Sequence, residues 1–254
     1  MTDKRAASCE WGKDSRSKEE LRFLEGPGGR IKDFWRVLRI GGELIRGFRK
    51  FHFLPPCVTI FGSARFPDSH PYYQLARTTA QEIGRIGFTI MTGGGPGIME
   101  AANRGAKDVG AHSVGCNIKL PHEQQPNGYL DDWMEFNYFF VRKVMLIKYS
   151  YAFIALPGGF GTLDEIYETA TLVQTEKIKD FPLILIGTEF WKPLFDFMEQ
   201  RLLASQTILQ GDFDRFLLTD SPQEAAEWVK EAATRQFGLT LPEPPKPFSL
   251  LKRE

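Results

Sequence analysis

FTIMTGGGPGIMEAANRGAKDVG, residues 88–110, changes periodicity once, at a run of glycines. Its first five residues, FTIMT, form a short apolar run of the kind that makes a buried strand. The stretch after the glycines reads as a helix and ends on another glycine. A strand that passes through a tight turn straight into a helix is the first half of a unit that pairs its strands in parallel. The same design recurs at YAFIALPGGFGTLDEIYE, residues 151–168.

Outward from these two units the alternation continues. CVTIF (57–61) reads as a strand, PYYQLARTTAQEIGRIG (71–87) as a helix, and HSVGCNI (112–118) and WMEFNYF (133–139) as strands. VRKVMLIKYS is a helix before the strand YAFIAL (151–156), and TLDEIYETATLVQTEKI a helix after it. FPLILIG (181–187) and FLLTD (216–220) are further strands, each followed by a helix. This order predicts an α/β fold: a doubly wound, mostly parallel sheet with helices on both faces. Such sheets bind ligands at the carboxyl ends of the strands, where the strand order reverses. Both glycine turns, at 93–97 and 158–161, should open at that edge.

Four regions are expected along the 254 residues. Residues 1–25 are polar and mixed in charge, and read as a mobile tail. Residues 26–55 place Ile31, Phe34, Trp35, Leu38, Ile45 and Phe48 roughly at helical spacing among Arg36, Arg39, Arg46, Arg49 and Lys50. A basic amphipathic helix can lie on a membrane surface. Gly41-Gly42 interrupts this one and weakens a continuous surface helix, which favours an arm packed on the domain or on a partner subunit. Residues 56–235 form the α/β domain, and 236–254 a proline-rich tail outside it.

Lysine plus arginine equals aspartate plus glutamate at 32 each, so net charge gives no push toward nucleic acid or membranes. Cys9, Cys57 and Cys116 form no CxxC pair, which argues against a disulfide framework or a zinc site and for a reducing compartment. His52, His70, His112 and His122 are scattered, so no metal site is expected. The charged start is no secretory signal, and no run reaches the ~18 apolar residues of a membrane span. A cytoplasmic protein is expected.

TGGGPGIME (92–100) lets the backbone approach a ligand closely, with Pro96 suited to the first helical turn. Free N–H groups and the helix dipole then favour a phosphate. A dinucleotide site would put GxGxxG after the first strand and an acid at the end of the second. Here the first strand leads into FGSARFPDS and the second ends in MTGGG, which disfavours NAD. Neither turn ends in Gly-Lys-Ser/Thr, so no Walker loop is present. The ligand expected is a mononucleotide or sugar phosphate. In the second turn Thr162-x-x-Glu165 also fits a capping box, which stabilises a helix start without any chemistry. Against that stands the cluster of Asp164, Glu165 and Glu168 at the ligand edge, with the Arg142-Lys143 pair upstream. Both readings stay open on the residues alone.

GGGPGIMEAAN (93–103), the Arg142-Lys143 pair and PGGFGTLDE (157–165) together resemble the Lonely-guy family of cytokinin riboside monophosphate phosphoribohydrolases, often mislabelled lysine decarboxylases. PGGFGTLDE fits that family's PGGxGTxxE signature, and the resemblance runs from about residue 56 to 235. It implies a Rossmann-like sheet, a homodimer or larger homo-oligomer, and hydrolysis of a nucleoside 5′-monophosphate to free base and ribose 5-phosphate without any cofactor. By position it implies Arg142 and Glu165 as catalytic residues. It implies Lys143, Gly158, Gly159, Phe160, Gly161, Thr162 and Thr171 as substrate-binding residues, with Gly94, Gly95, Gly97 and Met99 in the first glycine turn and Ser63 after the first strand, where the family contacts the nucleotide. The connection LPHEQQPNGYLDD differs from the shorter plant form, so AMP and a cytokinin precursor both stay open as substrates.

The chemistry of these residues agrees with that reaction. Breaking an N-glycosidic bond develops positive charge on the ribose. A carboxylate beneath C1′ stabilises it and can orient or deprotonate the attacking water. An arginine fork can hold the phosphate or ribose. Two other readings compete. A non-catalytic nucleotide sensor or carrier would use the same glycine turns. A pyridoxal-phosphate decarboxylase would need a Schiff-base lysine, and nothing around Lys143 or Lys148 suggests that role.

Overall fold

The computed structural model describes residues 30–119, 125–179 and 181–237. The expected tails fall outside these residues, apart from the last helical positions before 238. Among the described residues seven strands form one sheet: β1 (Cys57–Phe61), β2 (Thr89–Thr92), β3 (Ser113–Ile118), β4 (Asp132–Phe136), β5 (Ser150–Ala155), β6 (Leu183–Ile186) and β7 (Phe216–Thr219). Their order is β4-β3-β2-β1-β5-β6-β7, and every pairing is parallel. The helices are α1 (Arg30–Phe51), α2 (Pro71–Arg85), α3 (Ile98–Asp108), α4 (Phe139–Tyr149), α5 (Phe160–Gln174), α6 (Thr188–Phe197), the single turn α7 (Gln210–Phe213) and α8 (Pro222–Phe237). A π-helical segment, Met198–Leu203, continues α6.

The inner strands β1, β2, β3 and β6 are buried along their whole length and β5 at all but Tyr151, as expected where helices cover both faces, while the edge strands β4 and β7 are only part-buried. Val58, Ile60, Ile154 and Ile184 face a core shared with Tyr73 and Ala76 of α2, Ala102 of α3 and Val229 of α8. Cys57, Phe61, Phe153 and Leu183 face the opposite core, with Phe51 of α1 and Val141 and Met145 of α4. Helices therefore cover both faces, and the α/β reading of the alternation holds.

Some local expectations change. Helix α1 runs straight through Gly41-Gly42. Its Ile40, Leu44 and Phe51 pack on the domain, and Gly47 comes so close that an added Cβ would lie 3.0 Å from the Met145 side chain. That burial offsets the entropic cost of the glycines. Strand β4 stops at Phe136 and α4 starts at Phe139. Gly97 takes the N-cap of α3, so Pro96 sits just before the cap and not in the first turn. Among the described residues no helix is long and apolar enough to cross a membrane.

Candidate active site

After β1 the chain builds outward through β2, β3 and β4, then returns to β5 on the other side of β1. Loops leaving β1 and β5 diverge there, which opens a crevice at the carboxyl edge. A cleft of about 680 Å³ occupies that place. Ser63 and Arg65 enter it from the β1 loop, Gly93 from the first glycine turn, Met99 from the start of α3, and Asn117 and Ile118 from the end of β3. The opposite wall is Phe139 and Arg142 of α4 with Gly158 to Thr162 and Glu165.

The two turns are strapped together by backbone. Ser63 N donates to Pro157 O at 3.0 Å, and Ser63 O accepts from Ile98 N at 3.0 Å. This requires glycine at 97: its φ is +68°, and a Cβ there would lie 2.5 Å from Ser63 O. Gly158 is held as tightly, since a Cβ would meet Thr162 Oγ1 at 2.1 Å. A buried polar network fixes the first turn from behind. Thr92 Oγ1 accepts from Gly94 N at 2.9 Å and donates to Asn103 Oδ1 at 2.6 Å, while Asn127 Nδ2 donates to Gly95 O at 3.0 Å.

Glu165 lies one and a half turns into α5, and its side chain is 1% exposed. Its Oε1 accepts from Arg142 Nη2 at 2.8 Å. The helix begins at Phe160 with Gly159 as N-cap and no side-chain cap. Thr162 and Glu165 are both interior positions, so the capping-box reading is overturned: Glu165 turns to Arg142 and not back to its own helix start. Burial raises the Glu165 pKa above the ordinary carboxylate range, with the Arg142 charge and hydrogen bond pulling the other way. Among the described residues, Glu165 Oε2 and Arg142 Nε are buried without a hydrogen-bond partner. Buried polar atoms are rarely left so, and both residues line the cleft. Among the described residues, Cys57 and Cys116 offer no competing nucleophile, because burial pushes Cys116 up to about 12 and raises Cys57 as well. No group of three His, Cys, Asp or Glu among the described residues is placed to hold a metal.

A family model described as "Possible lysine decarboxylase" matches residues 99–229, from α3 into α8. A probable cytokinin riboside 5′-monophosphate phosphoribohydrolase of Arabidopsis thaliana is 31% identical over 134 residues, 52% of this chain and 66% of that protein. A second Arabidopsis enzyme of that name is 30% identical, with 74% of its length covered. The chain belongs to the Lonely-guy family. A Rhodococcoides fascians member, also named a cytokinin riboside 5′-monophosphate phosphoribohydrolase, is 29% identical over 57% of this chain and 75% of that protein. Among solved structures, a molybdenum cofactor binding protein of Rippkaea orientalis superposes with a TM-score of 0.52 at 23% identity, covering 70% of this chain and 96% of that one. A carrier protein for the same cofactor from Chlamydomonas reinhardtii gives 0.51 at 20%, over 71% and 99%. These two show the shared fold.

Set against the Lonely-guy motifs, the structure brings Ser63, Met99, Arg142, Gly158, Gly159, Phe160, Gly161, Thr162 and Glu165 to one cleft. Gly94, Gly95 and Gly97 build the turn behind it. Lys143 points elsewhere, with Nζ 2.8 Å from Asp164 and 2.7 Å from Glu168. Thr171 lies further along α5, where its hydroxyl donates to Tyr167 O at 2.7 Å. The sequence reading missed Arg65, Asn117, Phe139 and Phe190 on the cleft wall. Arg65 carried a usable signal, since FGSARF follows the first strand directly onto the ligand edge. Phe139 and Phe190 carried none, because they reach the cleft from helix starts after other strands.

Proposed function

We propose that the protein hydrolyses the N-glycosidic bond of a nucleoside 5′-monophosphate, AMP or a cytokinin riboside monophosphate, to free base and ribose 5-phosphate. The observation that carries this reading is the pair of a part-buried Arg142 and a buried Glu165 on the wall of the switch-point cleft, each partner keeping one buried, unsatisfied polar atom. A helix N-terminus supplies unpaired N–H groups to a phosphate. The α5 start at Gly159 to Gly161 does this here, and Arg65, whose side chain is in the same cleft, adds a positive charge. With the phosphate held there, the ribose lies between that turn and Glu165. As the C1′–N bond breaks, its electron pair leaves with the base and positive charge grows on the ribose. Glu165 stabilises that charge through its free oxygen and takes a proton from the attacking water, whose oxygen bonds to C1′. The base leaves with a proton drawn from solvent. Arg142 favours the charged form of Glu165 against the effect of burial and offers Nε to a ribose hydroxyl.

The reading includes a homodimer or larger assembly in the cytoplasm, without nucleic-acid or membrane partners. Half-exposed Phe139, Phe140 and Val144 on α4, beside the cleft, support such a contact. The test is incubation of pure protein with AMP, GMP, CMP, UMP and isopentenyladenosine monophosphate, followed by measurement of released base. Release of adenine or isopentenyladenine is expected. No base from any nucleotide at high protein concentration overturns the assignment, and tight AMP binding without turnover would point to a sensor or carrier.

A further inference from the structure

Helix α1 lies outside the stretch that the family model matches, yet it places a buried carboxylate against the element that carries Arg142. Glu43 of α1 is 2% exposed. Its Oε1 accepts from Asn137 N at 2.9 Å and from Tyr138 N at 3.4 Å, and its Oε2 accepts from Asn137 Nδ2 at 2.8 Å. Tyr138 is the N-cap of α4 and has no side-chain cap of its own. Its carbonyl accepts from Arg142 N at 3.1 Å, in the first turn of that helix.

We propose that Glu43 is a positioning residue for the active site: a carboxylate lent by α1 caps the start of α4 and fixes where Arg142, and through it Glu165, stands in the cleft. The physics is that of a helix cap supplied from another element. The first N–H groups of a helix lack intrahelical partners, and a negative charge at that end is favoured by the dipole. Asn137 and Tyr138 leave β4 and turn into α4 within two residues, so their orientation sets the axis on which Arg142 projects. Gly47, one turn further along α1, closes the same contact against Met145 of α4. The arm is thus part of the catalytic frame and more than a cover for the core.

This inference rests on the hydrolase reading, and the experiment separates the two. Glu43→Ala, Glu43→Gln and Leu44→Ala are compared in the full chain. Leu44 packs the same helix on the same core but touches no cap. Expected for Glu43→Ala is a kcat lowered at least tenfold with KM changed threefold or less, because a small misplacement of a catalytic group costs rate first. Glu43→Gln, which keeps an acceptor for Asn137 N, should recover most of that loss, and Leu44→Ala should stay within twofold of the wild type. Equal kcat for Glu43→Ala and wild type overturns the proposal, and so does an equal loss in Leu44→Ala. If Glu43→Ala does not fold, Asn137→Ala, which removes one donor and keeps Glu43, takes its place: a kcat at least threefold down supports the proposal, and an unchanged one overturns it. If the wild type itself shows no turnover, the hydrolase reading fails separately and AMP affinity becomes the readout. A loss of threefold or more in Glu43→Ala but not in Leu44→Ala then supports the positioning role, and unchanged affinity overturns it.

Discussion

At Glu165 two opposed effects meet. Withdrawal from water disfavours the charged form, and Arg142 at 2.8 Å favours it. Burial wins, so the pKa stands above the ordinary glutamate range. A base must be ionised to work, so activity should be present above that raised pKa and disappear as the pH falls through it. The acid limb of the kcat/KM profile is therefore expected above pH 4.5, the ordinary value for this side chain. Glu165→Gln should lower kcat at least about a hundredfold while AMP binding stays within a few-fold, read by isothermal titration. Equal loss of turnover and binding would mean that this carboxylate only holds the fold. Arg65 gives a contrasting case. It lines the same cleft as Arg142 and Glu165 and is exposed. Arg65→Ala should raise KM about tenfold, as expected for the loss of one charge-assisted contact, with kcat little changed. A fall in kcat at constant KM would place Arg65 with the chemistry instead.

Among the elements, α1 separates what the sequence could show from what it could not. Its apolar spacing was legible, but its continuity was not. A glycine costs a helix about 1 kcal/mol relative to alanine, and the compensation comes from Ile40, Leu44 and Phe51 packing on a domain remote in sequence. An ideal Cβ at Gly42 would have nothing within 4 Å. Gly42→Ala should therefore stabilise the protein by about 0.5–1 kcal/mol, a rise in Tm of about 2 °C for a chain of this size. A fall measured by calorimetry would show that a partner's backbone fills that space. The same limit explains the misread helix starts. Thr162-x-x-Glu165 has the spacing of a capping box, but Gly158-Gly159 lets α5 begin at Phe160 and carries both residues inside. Local patterns placed the inner strands within a residue or two, because burial on both faces leaves a continuous apolar run, whereas the part-exposed β4 ends at Phe136, three residues short of its expected end. Glu43 stays invisible to such patterns, since its partners lie 94 and 95 residues away.

For the molecule as a whole, the site is a product of topology. Residues from the loops after β1, β2 and β5 meet only because the strand order reverses between β1 and β5. The glycine turns were legible as ligand-edge features, while the wall formed by Phe139 and Phe190 depends on how far apart helices α4 and α6 stand. A ligand bridging these loops touches both halves of the sheet at once, so its binding energy should add to the stability of the entire domain. At a concentration one hundred times Kd, a ligand that binds only the folded state contributes about 2.7 kcal/mol. With about 2–4 °C per kcal/mol for a domain of this size, saturating ribose 5-phosphate or AMP should raise Tm by roughly 5–10 °C. Inorganic phosphate, which on the proposed reading meets the α5 N-terminus and Arg65 but not the ribose side of the cleft, should give less. Arg142→Ala should reduce the ribose 5-phosphate shift while leaving the phosphate shift in place if, as proposed, Arg142 meets the ribose and the α5 start meets the anion. A ribose 5-phosphate shift no larger than that of phosphate in the wild type would mean that the cleft holds an anion alone and that no sugar reaches Glu165.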